Sequence, residues 1–519
     1  FLILCIISTI PTVSTHASSD SCCQEQCCYD EYSCQGYLAA RSQASDTARR
    51  LIGTHHYTDT HNIDEFTQVL SITTAYARSF NTEKLGKYFS PVCNSACFTL
   101  GADRKADVRA EDFGLSCSGV ACLEPKSSNF IADIQYYLGL DPICEGLFLT
   151  IYAPIVYNSR RISCCASSKE SCGSTFEACL MSLDSTKVDT GTTNITTALN
   201  GSILWGDLEH TMNFGKLCCQ ENVTRLADLQ AEIGYNYWMS DTAYCGIKLI
   251  AKAPTGNRAQ GRMIFEPIAG NGGHVELGGG LQAYWRCWEK DTDHFISTHI
   301  ELDVTHLFTT NCQKRVFDLN NGCNIDPSRC FSRYLLLKEF SNDGTSLVGL
   351  ERGPNVFAQN LTVRIPVQVD ITWLLSYQYT CWLADFGYNF WGQSEEEIMD
   401  FLPNVPGNTY AIKGILPMCS TVTGAPNTRT ASRSTINTTR GIEGETDGPV
   451  STFINCADIN TCSALAPSAR SNSAVLAITY LWNDYKHEPW LGIGAKIEVG
   501  STNSALDQWT LWAKGGISF

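Results

Sequence analysis

Four consecutive stretches of this chain alternate apolar and polar residues, and that alternation restricts the possible folds more than any other feature. In 226–238, Ala227, Leu229, Ala231, Ile233, Tyr235 and Tyr237 fall on one side, with Asp228, Gln230, Glu232 and Asn236 on the other. In 244–253, Ile247, Leu249, Ala251 and Ala253 alternate with Lys248 and Lys252. Residues 274–286 set Val275, Leu277, Leu281, Ala283 and Trp285 against His274, Glu276, Gln282 and Arg286. Residues 295–308 set Ile296, Ile300, Leu302, Val304 and Phe308 against Ser297, His299, Glu301, Asp303 and Thr305. Side chains of a strand point alternately to its two faces, so each stretch reads as a strand with one apolar and one charged face.

The pattern extends over the chain. Strands are expected at 66–80, 130–138 and 147–157, then in the four stretches above, at 369–378 and 386–390, and at 473–482, 489–499 and 505–519. That makes twelve; 334–340 and 409–416 would raise the count to fourteen, and sixteen is an upper bound. The connections alternate between tight turns and long segments, the latter at 81–128, 158–225, 309–368 and 393–472. Soluble sandwiches also alternate, but their turns come every eight to twelve residues or so and long loops are few.

A bilayer admits only structures whose backbone polar groups are paired internally, either helices or closed sheets. The longest continuous apolar run, Phe1 to Ile10, is too short to span as a helix. The expected fold is therefore all-β: a single closed antiparallel transmembrane β-barrel over 61–519. Aromatic residues gather near the short-turn ends as an interfacial girdle, with Tyr235, Tyr237, Trp238, Trp285, Tyr377, Trp482, Trp490 and Phe519 as its members. The last stretch, ALDQWTLWAKGGISF, ends on Phe519 and resembles the sealing strand of bacterial outer-membrane barrels.

Charges on the inner faces cannot meet lipid, where a mid-bilayer Lys or Arg costs about 2–4 kcal/mol. Asp228, Glu232, Lys248, Lys252, Glu276, Arg286, Glu301, Asp303, Asp385, Lys496, Glu498 and Lys514 are thus expected to line a pore. With Asp133 and Asp370, acids outnumber bases on these faces and suggest mild cation preference. The formal charge of -16 and the lack of a basic run exclude a nucleic-acid surface.

Twenty-six cysteines belong in an oxidising compartment, and their spacings lack the paired C-x2-C pattern of structural zinc. The run 1–17 reads as a signal peptide, and 18–60 as a Cys-rich periplasmic leader with a possible short helix at 42–52. Cys22, Cys23, Cys27, Cys28 and Cys34, with Cys144, Cys245, Cys287 and Cys381, are expected at the short-turn rim. Cys93, Cys97, Cys117, Cys122, Cys164, Cys165, Cys172, Cys179, Cys218, Cys219, Cys312, Cys323, Cys330, Cys456 and Cys462 fall in the long loops as disulfide candidates, together with those of the leader. Cys419 is a further loop cysteine.

No catalytic set, metal site or cofactor motif emerges. His299 between Ser297 and Glu301 reads as pore lining, and His55, His56 and His61 read as solvated turn residues. Gly-rich 270–280 lacks the strand-to-helix context of a nucleotide loop.

The segments DTARRLIG (46–53), CFTLGADRKADVRAEDFGL (97–115), NFIADIQYYLGLDPICEGLFLTIYAPIVY (129–157), RLADLQAEIGYNYW (225–238), RMIFEPIAGNGGHVELGGGLQAYW (262–285) and PWLGIGAKIEVG (489–500) resemble cysteine-rich, chlamydial-type major outer-membrane porins and surface porins of amoeba-parasitic bacteria. The resemblance implies a diffusion channel for small solutes or ions at the bacterial cell surface. It also implies a disulfide-stabilised dimer, trimer or wider surface-layer array. Outer-membrane lipid and further copies of the chain would then be its partners. A barrel of the same build with an occluded lumen would instead be purely structural or adhesive.

Overall fold

The computed structural model describes residues 26–28, 31–44, 46–58, 65–101, 106–168, 174–184, 186–240, 242–319, 330–414, 418 and 453–519. Twelve strands close on themselves in sequence order: β1 (Gln68–Ser79), β2 (Gly119–Gly139), β3 (Leu147–Ser168), β4 (Leu229–Ser240), β5 (Ala243–Ala253) and β6 (Glu276–Asp291), then β7 (His294–Val316), β8 (Ala358–Tyr379), β9 (Trp382–Gln393), β10 (Ala469–Leu481), β11 (Trp490–Gly500) and β12 (Gln508–Ser518). Every neighbouring pair is antiparallel, and β12 closes onto β1 with Thr510 opposite Ala77 and Lys514 opposite Thr73. A closed sheet leaves no unpaired edge for hydrocarbon to meet.

The period-two pattern explains the orientation. Along β5, Ile247 and Leu249 are exposed while Lys248 and Lys252 are buried. Ile493 and Ile497 of β11 are exposed, whereas Lys496 and Glu498 are buried. The exterior is apolar and the interior charged, the inverse of a soluble protein. No helix among the described residues is long and apolar enough to cross a membrane.

The segments 334–340 and 409–416 do contain strands, but outside the ring. Leu336–Phe340 pairs with Leu347–Arg352 and Tyr410–Ile412 in a separate three-stranded sheet. Their side chains are buried on both faces at Leu336, Leu337 and Lys338, which suits a sheet inside a folded cap rather than a barrel wall. β2, β3, β7 and β8, at 21, 22, 23 and 22 residues, are longer than the roughly 9–11 a spanning strand needs, and their extensions carry this cap. Its core packs Leu85, Tyr88 and Phe89 of helix Thr82–Phe89 against Phe98, Phe113, Phe265, Phe331 and Tyr334. Asn81 caps that helix by accepting from the Lys84 N–H at 3.3 Å.

Two disulfides secure the cap: Cys97–Cys122 and Cys164–Cys218. Cys93, Cys179 and Cys462 are also disulfide-bonded. Of the expected disulfide cysteines, Cys165, Cys219 and Cys456 carry free thiols instead. Cys22, Cys23, Cys172, Cys323 and Cys419 lie outside the described residues, as does the 1–17 run.

Candidate functional site

The barrel interior is occupied by the chain's own leader. Residues 33–44 and 46–58 occupy it, entering at the long-loop rim, where Cys34 N–H donates to Ser90 O at 2.9 Å and Arg333 Nη2 donates to Cys34 O at 2.8 Å. They leave at the opposite rim, where Tyr57 donates its hydroxyl proton to Glu488 O at 3.0 Å. The expectation of a leader lying at the periplasmic rim is therefore corrected: this part of it threads the lumen. Cys34 accordingly sits under the cap, its Sγ 3.6 Å from Asp318 Oδ2. Cys144, Cys245, Cys287 and Cys381 do lie at the short-turn rim, with free thiols.

The sequence supplies a short helix where the lumen is charged. Asp46 caps helix Thr47–Leu51, accepting from the Arg49 N–H at 3.3 Å, and its Oδ2 pairs with Lys496 of β11 at 2.7 Å. Arg50 pairs with Glu232 of β4 at 2.7 Å and with Asp303 of β7 at 3.5 Å, its guanidinium 4.5 Å from the Tyr152 ring. Arg41 bridges Asp370 at 2.6 Å and Glu498 at 3.3 Å, and donates to Asn389 Oδ1 at 2.9 Å. Ser42 donates to Asp228 at 3.1 Å. From the wall, Lys514 donates to the backbone carbonyls of Arg50 and Arg49, at 2.6 and 3.1 Å. Those carbonyls belong to the end of the helix, where orphan acceptors face outward.

Wall residues also pair with one another. Lys248 meets Glu301, Asp303 at 2.9 Å and Glu232 at 3.4 Å, and Lys252 meets Glu276 at 2.6 Å. Eleven of the twelve expected pore-lining residues are buried on the inner face; Arg286 instead sits half-buried at the short-turn rim, over the Phe295 ring and beside Glu289. The eleven face protein rather than open water. The arginines of the plug also offset the acid surplus on which cation preference rested.

Two further expectations change. Trp490 is buried, 2 % exposed, because Leu491 and Ile493 of the same strand face out and parity turns Trp490 inward. It packs on the backbone at Gly53, whose φ of +78° and missing side chain make room for the ring. Tyr235, Tyr237, Trp238, Trp285, Tyr377, Trp482 and Phe519 are exposed on the outside. His55 is not solvated: it is buried, with Nε2 3.0 Å from Asp385 Oδ1 and its ring 4.4 Å from that of His299. Ser376 donates to the same carboxylate oxygen at 2.5 Å. His61 lies outside the described residues.

The plug residues Arg41, Ser42, Asp46, Arg49 and Arg50 escaped the sequence reading, which saw a polar leader and a possible helix. The available signal was the acid surplus of the inner faces, which requires cations from elsewhere once the lumen is dry. Among the described residues no group of His, Cys, Asp and Glu is arranged to hold a metal ion.

No protein-family model matches the chain, and no curated protein is significantly similar to it. Solved structures that align with it include an outer membrane channel from Pseudomonas putida F1, with 8 % identity, a TM-score of 0.38, and coverage of 87 % of this chain and 95 % of that one. The toluene transporter TodX of Pseudomonas putida aligns over 94 % of this chain and 97 % of its own, with 9 % identity and a TM-score of 0.33. A FadL homologue of Pseudomonas aeruginosa aligns over 88 % and 90 %, with 8 % identity and a TM-score of 0.27. The chain is a closed transmembrane β-barrel with a lumen plugged by its own residues 33–44 and 46–58.

Proposed function

We propose that this protein is an outer-membrane channel for small hydrophilic solutes, closed in this state by residues 33–58 and opened when they leave the lumen. The observation that carries the reading is the chemistry of the contact between plug and wall. It is built from ion pairs and hydrogen bonds along the whole lumen: Arg41 with Asp370, Asp46 with Lys496, Arg50 with Glu232. A permanent filling has no need of this, since buried ion pairs are often matched or bettered in stability by apolar residues of similar volume. A wall that must face water after the plug departs does need charge.

The filled lumen favours a second reading, a structural surface barrel that never opens. Planar-bilayer conductance separates the two, comparing the full chain with a variant whose residues 33–58 are replaced by a Gly/Ser segment of equal length. Stable open steps in the variant support the channel. Silence from variant protein shown to be folded supports the structural barrel.

The resemblance to chlamydial-type porins extends the proposal to a disulfide-linked surface assembly. Free thiols at Cys144 and Cys287 on one rim and Cys165 and Cys456 on the other are exposed and able to bond further copies. Oligomer bands that vanish with reductant would support it; an unchanged monomer band would count against it.

A further inference from the structure

We propose that the lumen holds a small-anion site on the outer side of the plug, built by Arg160, Ser127 and Asn129 of the wall and Arg49 of the plug. Ser127 of β2 stands directly opposite Arg160 of β3 in the ladder, and Asn129 lies two residues along on the same inner face. Facing pairs have Cβ atoms about 4.5–5.5 Å apart, so their polar ends share one space. All three line a single cavity with Arg49, Asp46, Lys496 and Glu498, roomy enough for a water-sized or slightly larger occupant.

Every one of the four is at least nine-tenths buried: Ser127 and Arg160 at 2 % exposure, Arg49 at 2 % and Asn129 at 5 %. Each presents a buried polar atom that meets no hydrogen-bond partner among the described residues: Arg160 Nε, Arg49 Nε, Ser127 Oγ and Asn129 Oδ1. The amide of Asn129 can present nitrogen or oxygen there, since the two are interchangeable by a flip.

Charge points the same way. Lys496 is committed to Asp46, and Arg41 to Asp370 and Glu498. Arg49 reaches carboxylates only at 3.6 Å, to Asp46, and 4.0 Å, to Asp133. Arg160 has no carboxylate within ion-pair distance among the described residues. It donates through Nη1 to Glu266 O at 2.8 Å and lies 4.8 Å from the Phe265 ring, which leaves the Nε–Nη2 edge unused. That edge is the fork with which arginine grips carboxylates and other oxyanions in two parallel bonds. A buried guanidinium with this edge open offers a charged pair of donors to an anion, and the Ser127 hydroxyl and Arg49 Nε are further unpartnered donors lining the same cavity. The occupant inferred is a halide or a small oxyanion or carboxylate drawn from the medium.

The test is a crystal of the full chain soaked in 50 mM sodium bromide, with the anomalous signal recorded. The expected result is a bromide peak within hydrogen-bond distance of Arg160 Nε and Ser127 Oγ, reduced at least tenfold in Arg160→Met crystals and retained in Lys126→Met crystals. Should Arg160→Met not fold, Ser127→Ala is expected to weaken the same peak several-fold. A peak seen at 1 M bromide but not at 50 mM, ordered water alone, or a peak indifferent to both substitutions would overturn the site. The outcome is independent of whether the barrel conducts.

Discussion

Replacing Arg50 with methionine keeps the bulk of the side chain and removes its charge from the middle of the lumen. The guanidinium pairs with Glu232 at 2.7 Å and Asp303 at 3.5 Å and rests over Tyr152, all within a buried environment. Breaking a buried pair by deleting one partner costs about 3–5 kcal/mol, because the other charge is stranded. Here the stranding is partial, since Lys248 lies 3.4 Å from Glu232 and 2.9 Å from Asp303. A loss near the bottom of that range, about 3 kcal/mol, is therefore expected for docking of the plug. At about 1.4 kcal/mol per tenfold, the undocked population rises roughly 150-fold. Hydrogen exchange read by mass spectrometry reports it directly: amides of the helix Thr47–Leu51 should exchange roughly two orders of magnitude faster, while those of β5 and β11 stay protected. The double variant R50M/E232Q removes both members of the closest pair, so its effect should fall short of the sum of the two single ones by about 1–3 kcal/mol. Plug amides that exchange at the original rate in R50M, with the barrel folded, would refute the view that these ion pairs hold the leader in place.

Leu249→Arg puts a charge on the lipid face midway along β5 and should cost about 2–4 kcal/mol in refolding titrations into bilayers, whereas Lys248 next to it is tolerated because it faces the lumen. Gly53→Ala places a Cβ about 2.4 Å from the Trp490 ring at a φ of +78°, so thermal unfolding should move down by several degrees and Trp490 fluorescence should change. The cap should be more stable at pH 5 than at pH 8. Burial pushes the Glu266 carboxyl up to about 7, against the backbone N–H groups of Gln260 and Gly261, which favour its charged form. A carboxyl raised on folding contributes stability that is complete below its unfolded value near 4 and is lost as pH rises through 7. Limited proteolysis of the cap at the two pH values should show this difference in the parent protein and lose most of it in E266Q.

The ring was legible because a barrel wall repeats one rule. Where Lys248, Lys252, Lys496 and Lys514 alternate with exposed apolar residues, period two alone assigns each to the inside, and the twelve ring strands are those the alternation marks. The same rule, kept to strict parity, would have turned Trp490 inward, away from the girdle of aromatic residues it was grouped with by composition. The extra strands at Leu336–Phe340 and Tyr410–Ile412 were visible as apolar runs, but nothing local says that they belong to a cap instead of the ring. Membership in a sheet is decided by partners far away in sequence.

The plug illustrates a different limit. Its contacts join residues such as Asp46 and Lys496, 450 positions apart, and no pattern within 33–58 reveals that Arg41, Arg49 and Arg50 are buried. What the wall does record is a debt of charge. Asp133, Asp228, Glu232, Glu276, Glu301, Asp303, Asp370, Asp385 and Glu498 share the interior with Lys248, Lys252, Lys496 and Lys514, a balance that water could sustain and a protein-filled lumen could not. Read that way, the surplus is evidence for cationic side chains arriving from outside the strands, and the arginines of 41–50 are those cations. Selectivity follows from the same reasoning: with the plug docked, Arg41, Arg49 and Arg50 less Asp46 reduce the acid excess of the lumen, and with the plug withdrawn its acids are uncovered. Any preference for cations should therefore appear together with opening, as a reversal potential that shifts toward the cation limit only in channels whose leader has left the lumen.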